Sequence, residues 1–124
     1  MSRLDLSSLV ALDGFLGACV VDAQTGDVLG SAAAAIDGID LDAAAKAHVR
    51  VMAAKRETAA GSETQDEVED ILVALESQYH VLRPLNDHRA FLYLALDRSR
   101  ANLGMARLVT KEFEKNIAKA LESV

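Results

Sequence analysis

The sequence predicts an α/β fold with the element order α-β-β-α-β-β-β-α, in which helices pack on the faces of a five-stranded, mostly antiparallel sheet. Two uninterrupted apolar runs, Phe15–Val21 and Phe91–Leu96, are typical of strands that are buried on both faces. Short turn sequences divide the strands into groups of two and three, which favours antiparallel hairpins. The 124 residues suffice for one core, so a single domain over residues 1–124 is expected.

The N-terminal elements are predicted to be a short helix and a hairpin. Leucines near one face predict a helix over Leu4–Leu12, which ends at Gly14. The apolar run Phe15–Val21 then forms the first strand. The turn Ala23–Gly26 leads into a second strand over Asp27–Ser31.

The middle of the chain predicts a long helix and a third strand. Asp40 or Asp42 caps a helix over Leu41–Ala59, and Gly61 marks the end of that helix. An acidic stretch then leads into Val68–Leu75, where apolar residues alternate loosely.

The C-terminal part predicts two more strands and a last helix. The strands are Tyr79–Pro84 and Phe91–Leu96. Asp97 or Ser99 caps the final helix, Asn102–Leu121, whose single apolar face predicts that it covers the sheet.

Charge and composition argue against nucleic acids and membranes as partners. The net charge of −6 would repel phosphate backbones and anionic lipids, and 4% aromatic residues leave few side chains on which bases could stack. Residues 1–70 hold 13 acidic and 5 basic residues, whereas residues 71–124 hold 6 and 8. This asymmetry favours a protein partner.

A cytoplasmic location is expected. The one cysteine, Cys19, excludes an intramolecular disulfide and favours a reducing compartment. The first residues lack the apolar core of a signal peptide, and no apolar run approaches the roughly 20 residues that span a bilayer. Membrane insertion is therefore not predicted.

Apolar residues surround most of the predicted middle helix. They are Leu41, Ala44, Ala45, Ala47, Val49, Val51, Met52, Ala53 and Ala54. Such a helix is usually covered on two sides, and in a chain this short the sheet covers only one of them. A second chain or a partner is expected on the other side. The alternative is a helix whose alanines are exposed because alanine favours helix and has little apolar area to bury.

No catalytic, cofactor-binding or metal-binding pattern is present in the sequence. Cys19 lies in a predicted buried strand, where a cysteine packs in the core rather than acting as a nucleophile. His48, His80 and His88 lack the spacing of a zinc site. His48 and Lys55 fall in the apolar sector of the middle helix and are interpreted as edge or interface residues. The sequence therefore predicts a protein that is not an enzyme and needs no cofactor.

Several segments resemble the Roadblock family, which includes roadblock-type dynein light chains and their bacterial and archaeal relatives. Its first hairpin is matched by Phe15–Asp22 with Thr25-Gly26 and Leu29-Gly30, and its third and fourth strands by Asp70–Val73 and Tyr79–Leu85. Its last strand and helix start are matched by Phe91–Asp97 with Ala101-Asn102-Leu103 and Ala106-Arg107. The order and spacing of these segments span nearly the whole chain. No dynein-specific feature is present, which favours a prokaryotic standalone member.

The resemblance implies a profilin-like sandwich that forms homodimers or heterodimers. In the family the middle helix packs antiparallel to its mate, and the third strand extends the sheet across the dimer. The residues then expected at the dimer or partner interface are Leu41, Ala44, Ala47, His48, Val51, Met52, Lys55, Val68, Asp70 and Leu72.

The leading functional prediction is a non-enzymatic dimeric regulator or docking platform for a small Ras-like GTPase. The expected partners are a second copy of the chain and that GTPase. One alternative is a scaffolding adaptor of a motor or signalling complex that uses the same surface without touching a GTPase. Another is a small-molecule sensor domain. Nucleotide-dependent binding, a stable partner of another class and a ligand-induced melting shift would distinguish the three.

Overall fold

The computed structural model describes residues 4–34, 39–61 and 66–122. Its elements follow the predicted order. They are α1 (Ser7–Val10), β1 (Phe15–Asp22), β2 (Val28–Ala33), α2 (Leu41–Ala60), β3 (Ile71–Ala74), β4 (Gln78–Leu85), β5 (Ala90–Asp97) and α3 (Leu103–Glu122).

The five strands form one sheet in the order β2-β1-β5-β4-β3, and every neighbouring pair is antiparallel. The predicted α/β sandwich is confirmed. β1, β5 and β4 lie in the interior of the sheet, with strands on both sides. β3 and β2 are the two edge strands.

The sheet is covered on both faces, which explains the apolar runs. In β5, Leu92, Leu94 and Leu96 pack in a core with α1 and α3, whereas Phe91 and Tyr93 pack in a second core with α2. Successive residues of a strand point to opposite faces, so a strand with a helix layer on each face needs apolar residues at every position.

The cap of α2 is as predicted, whereas the cap of α3 is not. Asp40 Oδ1 accepts a hydrogen bond of 3.1 Å from the backbone N–H of Ala43. At α3 the capping residue is Asn102, whose Oδ1 accepts from the N–H of Met105 at 3.0 Å. The predicted cap Asp97 instead accepts from the N–H and the hydroxyl of Ser99, so it closes the turn after β5.

Two elements are shorter than predicted. In α1 only Ser7–Val10 is helical, because Asp5 Oδ1 accepts from the Ser7 N–H at 2.9 Å and holds the preceding residues in a turn. In β3 the ladder with β4 ends at the pair Ile71 and Leu82. The next residue of β4 that would donate toward β3 is Pro84, which has no N–H.

Candidate functional site

The fold leaves much of α2 uncovered on the sides that do not face the core. Ala45 and Met52 are buried against the sheet. On the far side Ala47, Val51 and Lys55 are exposed, and 37% of Val51 is accessible to solvent. Ala44 and His48 are half-buried beside these residues, at the boundary with the sheet, and we call the surface formed by Ala44, Ala47, His48, Val51 and Lys55 the α2 outer face.

The predicted interface residues divide into exposed and buried groups. Met52 is only 4% exposed and packs in the core beneath α2, so little of its side chain is accessible in the single chain, and its contact with a partner stays a prediction. Leu41 and Ala44 are half-buried and pack against the same core. Val68 is half-buried ahead of β3, and Leu72 on β3 is 43% exposed.

Three aromatic side chains meet at the boundary between α2 and the sheet. The rings of His48 and Tyr93 are 4.7 Å apart, and those of His80 and Tyr93 are 5.1 Å apart. His48 Nδ1 lies 2.7 Å from the backbone oxygen of Ala44, so this nitrogen carries the proton and donates. His80 Nε2 lies 2.8 Å from Gln78 Oε1 and 3.3 Å from the Tyr93 hydroxyl.

Burial shifts the pKa values of the groups beneath α2 toward their neutral forms. The pKa of His80 is lowered, chiefly because burial disfavours its charged form, and nearby His48 adds to this shift. Burial also raises the pKa of Tyr93 to about 12 and that of Cys19 to about 12. Because its pKa is raised, the thiol of Cys19 stays protonated at neutral pH and packs as a small apolar group, in agreement with the prediction for this residue.

A cluster of ion pairs joins the segment before β3 to the α3 face of the sheet. The buried guanidinium of Arg83 lies 2.7 Å from Glu114 Oε1 and 3.6 Å from Asp70 Oδ2. Asp70 also accepts from Arg107, at 3.0 and 3.3 Å. The Asp70 carboxylate is therefore paired within its own chain, and its contact with a partner stays a prediction.

A cavity of about 540 Å³ lies at the end of the sheet where the β1–β2 and β4–β5 turns meet α2. Its charged lining residues include Arg56, Arg89 and Asp87. The turn residues Asn86, Asp87 and His88 all have positive φ, and Nδ1 of His88 is buried with no hydrogen-bond partner among the described residues. Across the parts of the chain that the structure describes, no three His, Cys, Asp or Glu side chains are placed to hold a metal ion.

Sequence reasoning placed His48 and His80 on separate elements and did not bring them together. The one sequence signal for their contact is the position of His48 in the apolar sector of α2, because a polar residue there must lie against the sheet or a second chain. Sequence reasoning also missed Arg83, which is the one charged residue within the apolar stretch Val81–Leu85. A charge buried in a strand requires partners, and these come from residues 13 and 31 positions away.

Comparison with known proteins finds solved structures that resemble the chain in fold, but no match by sequence. No protein-family model matches the sequence, and no curated protein matches it. A Roadblock/LC7 domain from Streptomyces avermitilis superposes with a TM-score of 0.83 at 13% identity, covering 98% of both chains. The gliding protein MglB from Thermus thermophilus gives 0.82 at 22% identity, covering 96% of this chain and 87% of MglB.

A second MglB structure, described as having a tetrameric arrangement, gives a TM-score of 0.80 at 24% identity and covers 95% of this chain and 85% of that chain. The resemblance to the Roadblock family is thus confirmed for the fold. Within the described residues, no helix has both the length and the apolar character needed to cross a membrane.

Proposed function

Because the chain has the fold of Roadblock/LC7 domains, we propose that it is a non-enzymatic, cytoplasmic homodimer that regulates a small Ras-like GTPase. Its similarity in structure to MglB and to a Roadblock/LC7 domain over nearly its whole length is the observation that carries this proposal. The resemblance of the sequence to the Roadblock family implies the GTPase as partner. In this proposal the catalytic groups belong to the GTPase, and the dimer acts by docking to it.

The surface of the chain supports the dimer. The α2 outer face presents Val51 and small alanines, which let a second helix approach closely. β3 lies at the edge of the sheet and on the side of α2 where His48 contacts His80. A second copy related by a two-fold axis would therefore cover both elements at once.

Charged residues along α2 and in the segment that follows it support a charged rim around that contact. Lys46 and Arg50 are exposed on α2, and Asp66 and Glu67 are exposed beyond it. Charges at the rim of an interface set the rate and the selectivity of association more than its affinity. A protein partner is thus favoured by the charge pattern as well as by the fold.

The test is a titration of the purified chain against each Ras-like GTPase of the same genome, loaded with GDP or with a non-hydrolysable GTP analogue. The proposal predicts binding that depends on the nucleotide, together with a change in single-turnover GTP hydrolysis. A matched pair of variants, Val51→Glu on α2 and Leu108→Glu on α3, separates the dimer surface from general surface charge. Absence of binding and of any rate change with every GTPase would contradict the proposal.

A second candidate function is a scaffolding adaptor that assembles beyond the dimer. Met105 and Leu108 on α3 are large apolar residues that are exposed on the face opposite α2. The MglB structure with a tetrameric arrangement, which resembles this chain in fold, also supports assembly beyond the dimer. Sedimentation over a range of concentrations would favour the adaptor if the mass rises to four chains and Leu108→Glu returns it to two.

A further inference from the structure

We propose that the cavity at the end of the sheet binds a small phosphate ester of a sugar or polyol, whose phosphate lies between the guanidinium groups of Arg56 and Arg89. The site belongs to the single chain and requires neither the proposed dimer nor a GTPase. It is supported by the size and position of the cavity, by two arginines without partners, by an unpaired histidine nitrogen and by the remaining polar groups of the lining.

The cavity spans the end of the sheet between the two long helices. Arg56 lies four residues before the end of α2, and Leu121 lies one residue before the end of α3. The β1–β2 and β4–β5 turns supply most of the lining between these two residues. The volume of about 540 Å³ falls within the range of about 300–1,000 Å³ that is usual for small-molecule sites.

The two arginines of the cavity come from different elements, α2 and the β4–β5 turn. Elsewhere in the chain, the guanidinium groups of Arg83, Arg98 and Arg107 are held by carboxylates or by a backbone oxygen. Among the described residues, neither Arg56 nor Arg89 has a hydrogen bond or an ion pair from its side chain. Both donor groups are therefore available to an anion in the cavity that they share.

The number of donors favours a phosphate over a carboxylate. A single arginine can satisfy both oxygens of a carboxylate, whereas a phosphate monoester has three terminal oxygens and nearly two negative charges at neutral pH. His88 lines the same cavity, and its Nδ1 is buried with no hydrogen-bond partner among the described residues. Such a nitrogen is costly to leave unpaired, so the ring gains a hydrogen bond if it turns toward a phosphate oxygen.

The backbone of the β4–β5 turn holds these side chains at the cavity. Asn86, Asp87 and His88 have φ of 48°, 56° and 67°, a left-handed conformation that Asn, Asp and His adopt more readily than other residues with side chains. The N–H of Arg89 donates to the backbone oxygen of Asn86 at 3.1 Å, and the backbone oxygen of Arg89 accepts from the N–H of Ala23 at 2.9 Å. The β4–β5 turn is thus closed on itself and tied to the end of β1, so the arginine is presented from a fixed backbone.

The other charged groups of the lining suit hydroxyls. Asp22 and Asp87 also line the cavity, and their carboxylates would repel a second anionic group of a ligand. Asp22 Oδ1 already accepts from the N–H groups of Gln24 and Thr25, at 2.8 and 3.0 Å. Asp87 is exposed, and its carboxylate can accept a hydrogen bond from a ligand hydroxyl. A phosphate joined to a chain of hydroxyl-bearing carbons therefore matches both signs of charge in the cavity.

Calorimetric titration of the full chain with ribose phosphate, esterified on the primary hydroxyl, tests the site at constant ionic strength. We expect a dissociation constant of about 1 mM or less, and binding at least about 10-fold weaker for unphosphorylated ribose and for glutamate. Inorganic phosphate should compete with ribose phosphate. Absence of binding by ribose phosphate, or equal binding by ribose or by glutamate, would overturn the proposal.

Two variants test the arginines. Arg56→Gln and Arg89→Gln should each weaken the binding of ribose phosphate at least about 10-fold, because each removes one guanidinium from the phosphate. Both arginines are exposed, so circular dichroism should show the wild-type fold. The matched control is Arg100→Gln, which removes the same charge from an exposed arginine in the β5–α3 turn, at the opposite end of the sheet.

The Arg100→Gln variant should bind ribose phosphate as the wild type does. Equal weakening in all three variants would show that net charge attracts the phosphate without a defined site, and wild-type affinity in Arg56→Gln and Arg89→Gln would likewise overturn the proposal. NMR gives the location independently: ribose phosphate should shift the backbone amide signals of Ala23 and Arg89 most strongly. Shifts centred on the α2 outer face instead would contradict the site.

Discussion

The Nε atom of Arg83 donates a hydrogen bond of 2.7 Å to Oε1 of Glu114, a residue 31 positions later in the chain. The same guanidinium lies 3.6 Å from Asp70, which immediately precedes β3. Because Arg83 is buried in β4 and Glu114 lies on α3, this group of ion pairs joins the edge of the sheet to the helix layer that covers it.

Substitution of Arg83 by methionine should lower the free energy of unfolding by about 2–3 kcal/mol, because it leaves the largely buried Asp70 carboxylate with only one cationic partner. Methionine preserves much of the side-chain volume, so the loss reports the charge rather than a cavity. Urea unfolding followed by circular dichroism measures this difference.

Arg107→Met is the control for that experiment. It removes the other cation bound to Asp70, but Arg107 is half-exposed and its pair is partly screened by water. We expect a loss of at most about 1 kcal/mol. Equal losses for the two variants would show that Arg83 contributes no more than a surface pair.

The stability of the chain should fall as the pH is lowered through the range in which His80 titrates. The folded state holds the pKa of His80 below its usual value of 6.5, so the unfolded chain takes up the proton first. The contribution of neutral His80 is fully present above pH 6.5 and is lost as the pH falls toward the lowered pKa of the folded state. Unfolding curves recorded between about pH 5 and 8 measure this contribution to the free energy of unfolding, since ordinary carboxylates remain ionised over that range.

The variant His80→Gln isolates this effect. Glutamine does not titrate, so the pH dependence of its stability should be shallower than that of the wild type over the same range. His88→Gln serves as the matched control because His88 lies in the β4–β5 turn, away from the ring cluster. Parallel pH profiles for wild type and His80→Gln would contradict the assignment.

Two glycines should respond in opposite ways to alanine. Gly14 has φ of +80°, and a Cβ there would lie 2.8 Å from the backbone oxygen of Asp97. Gly14→Ala should therefore cost about 2 kcal/mol or more. At Gly104, the second residue of α3, an added Cβ would lie 3.4 Å from Asn102 Oδ1, which is an ordinary contact.

Gly104→Ala should accordingly raise stability by up to about 1 kcal/mol, because alanine favours helix over glycine. Chemical denaturation of both variants gives the comparison. Similar changes of the same sign at the two positions would show that the backbone at Gly14 is not constrained as the structure indicates.

Much of the fold could be predicted because its determinants are local. The apolar runs of β1 and β5, the Asp40 cap of α2 and the end of that helix at Gly61 each follow from a few adjacent residues. The cap of α3 could not be assigned in this way. Asp97, Ser99 and Asn102 are all good capping residues, and only the turn that Asp97 makes with Ser99 decides among them.

The candidate site was less predictable because its contacts are distant in sequence. Met52 occupies the apolar sector of α2 as Val51 does, and only the orientation of the helix buries one and exposes the other. The contact between His48 and His80 likewise depends on where α2 crosses the sheet. Helical periodicity gives the relative positions of side chains around a helix, but not which side the sheet will cover.

The central claim is that the α2 outer face binds a second copy, and the mass of the chain in solution tests it most directly. The wild type should sediment at twice the 13.2 kDa of one chain. Val51→Glu should weaken the dimer at least about 100-fold, because it buries an unpaired charge, without changing the circular dichroism spectrum. Leu108→Glu, at a residue 56% exposed on α3, should remain dimeric. A wild type that is monomeric at all concentrations, or a Val51→Glu variant that dimerises as well as the wild type, would contradict the account.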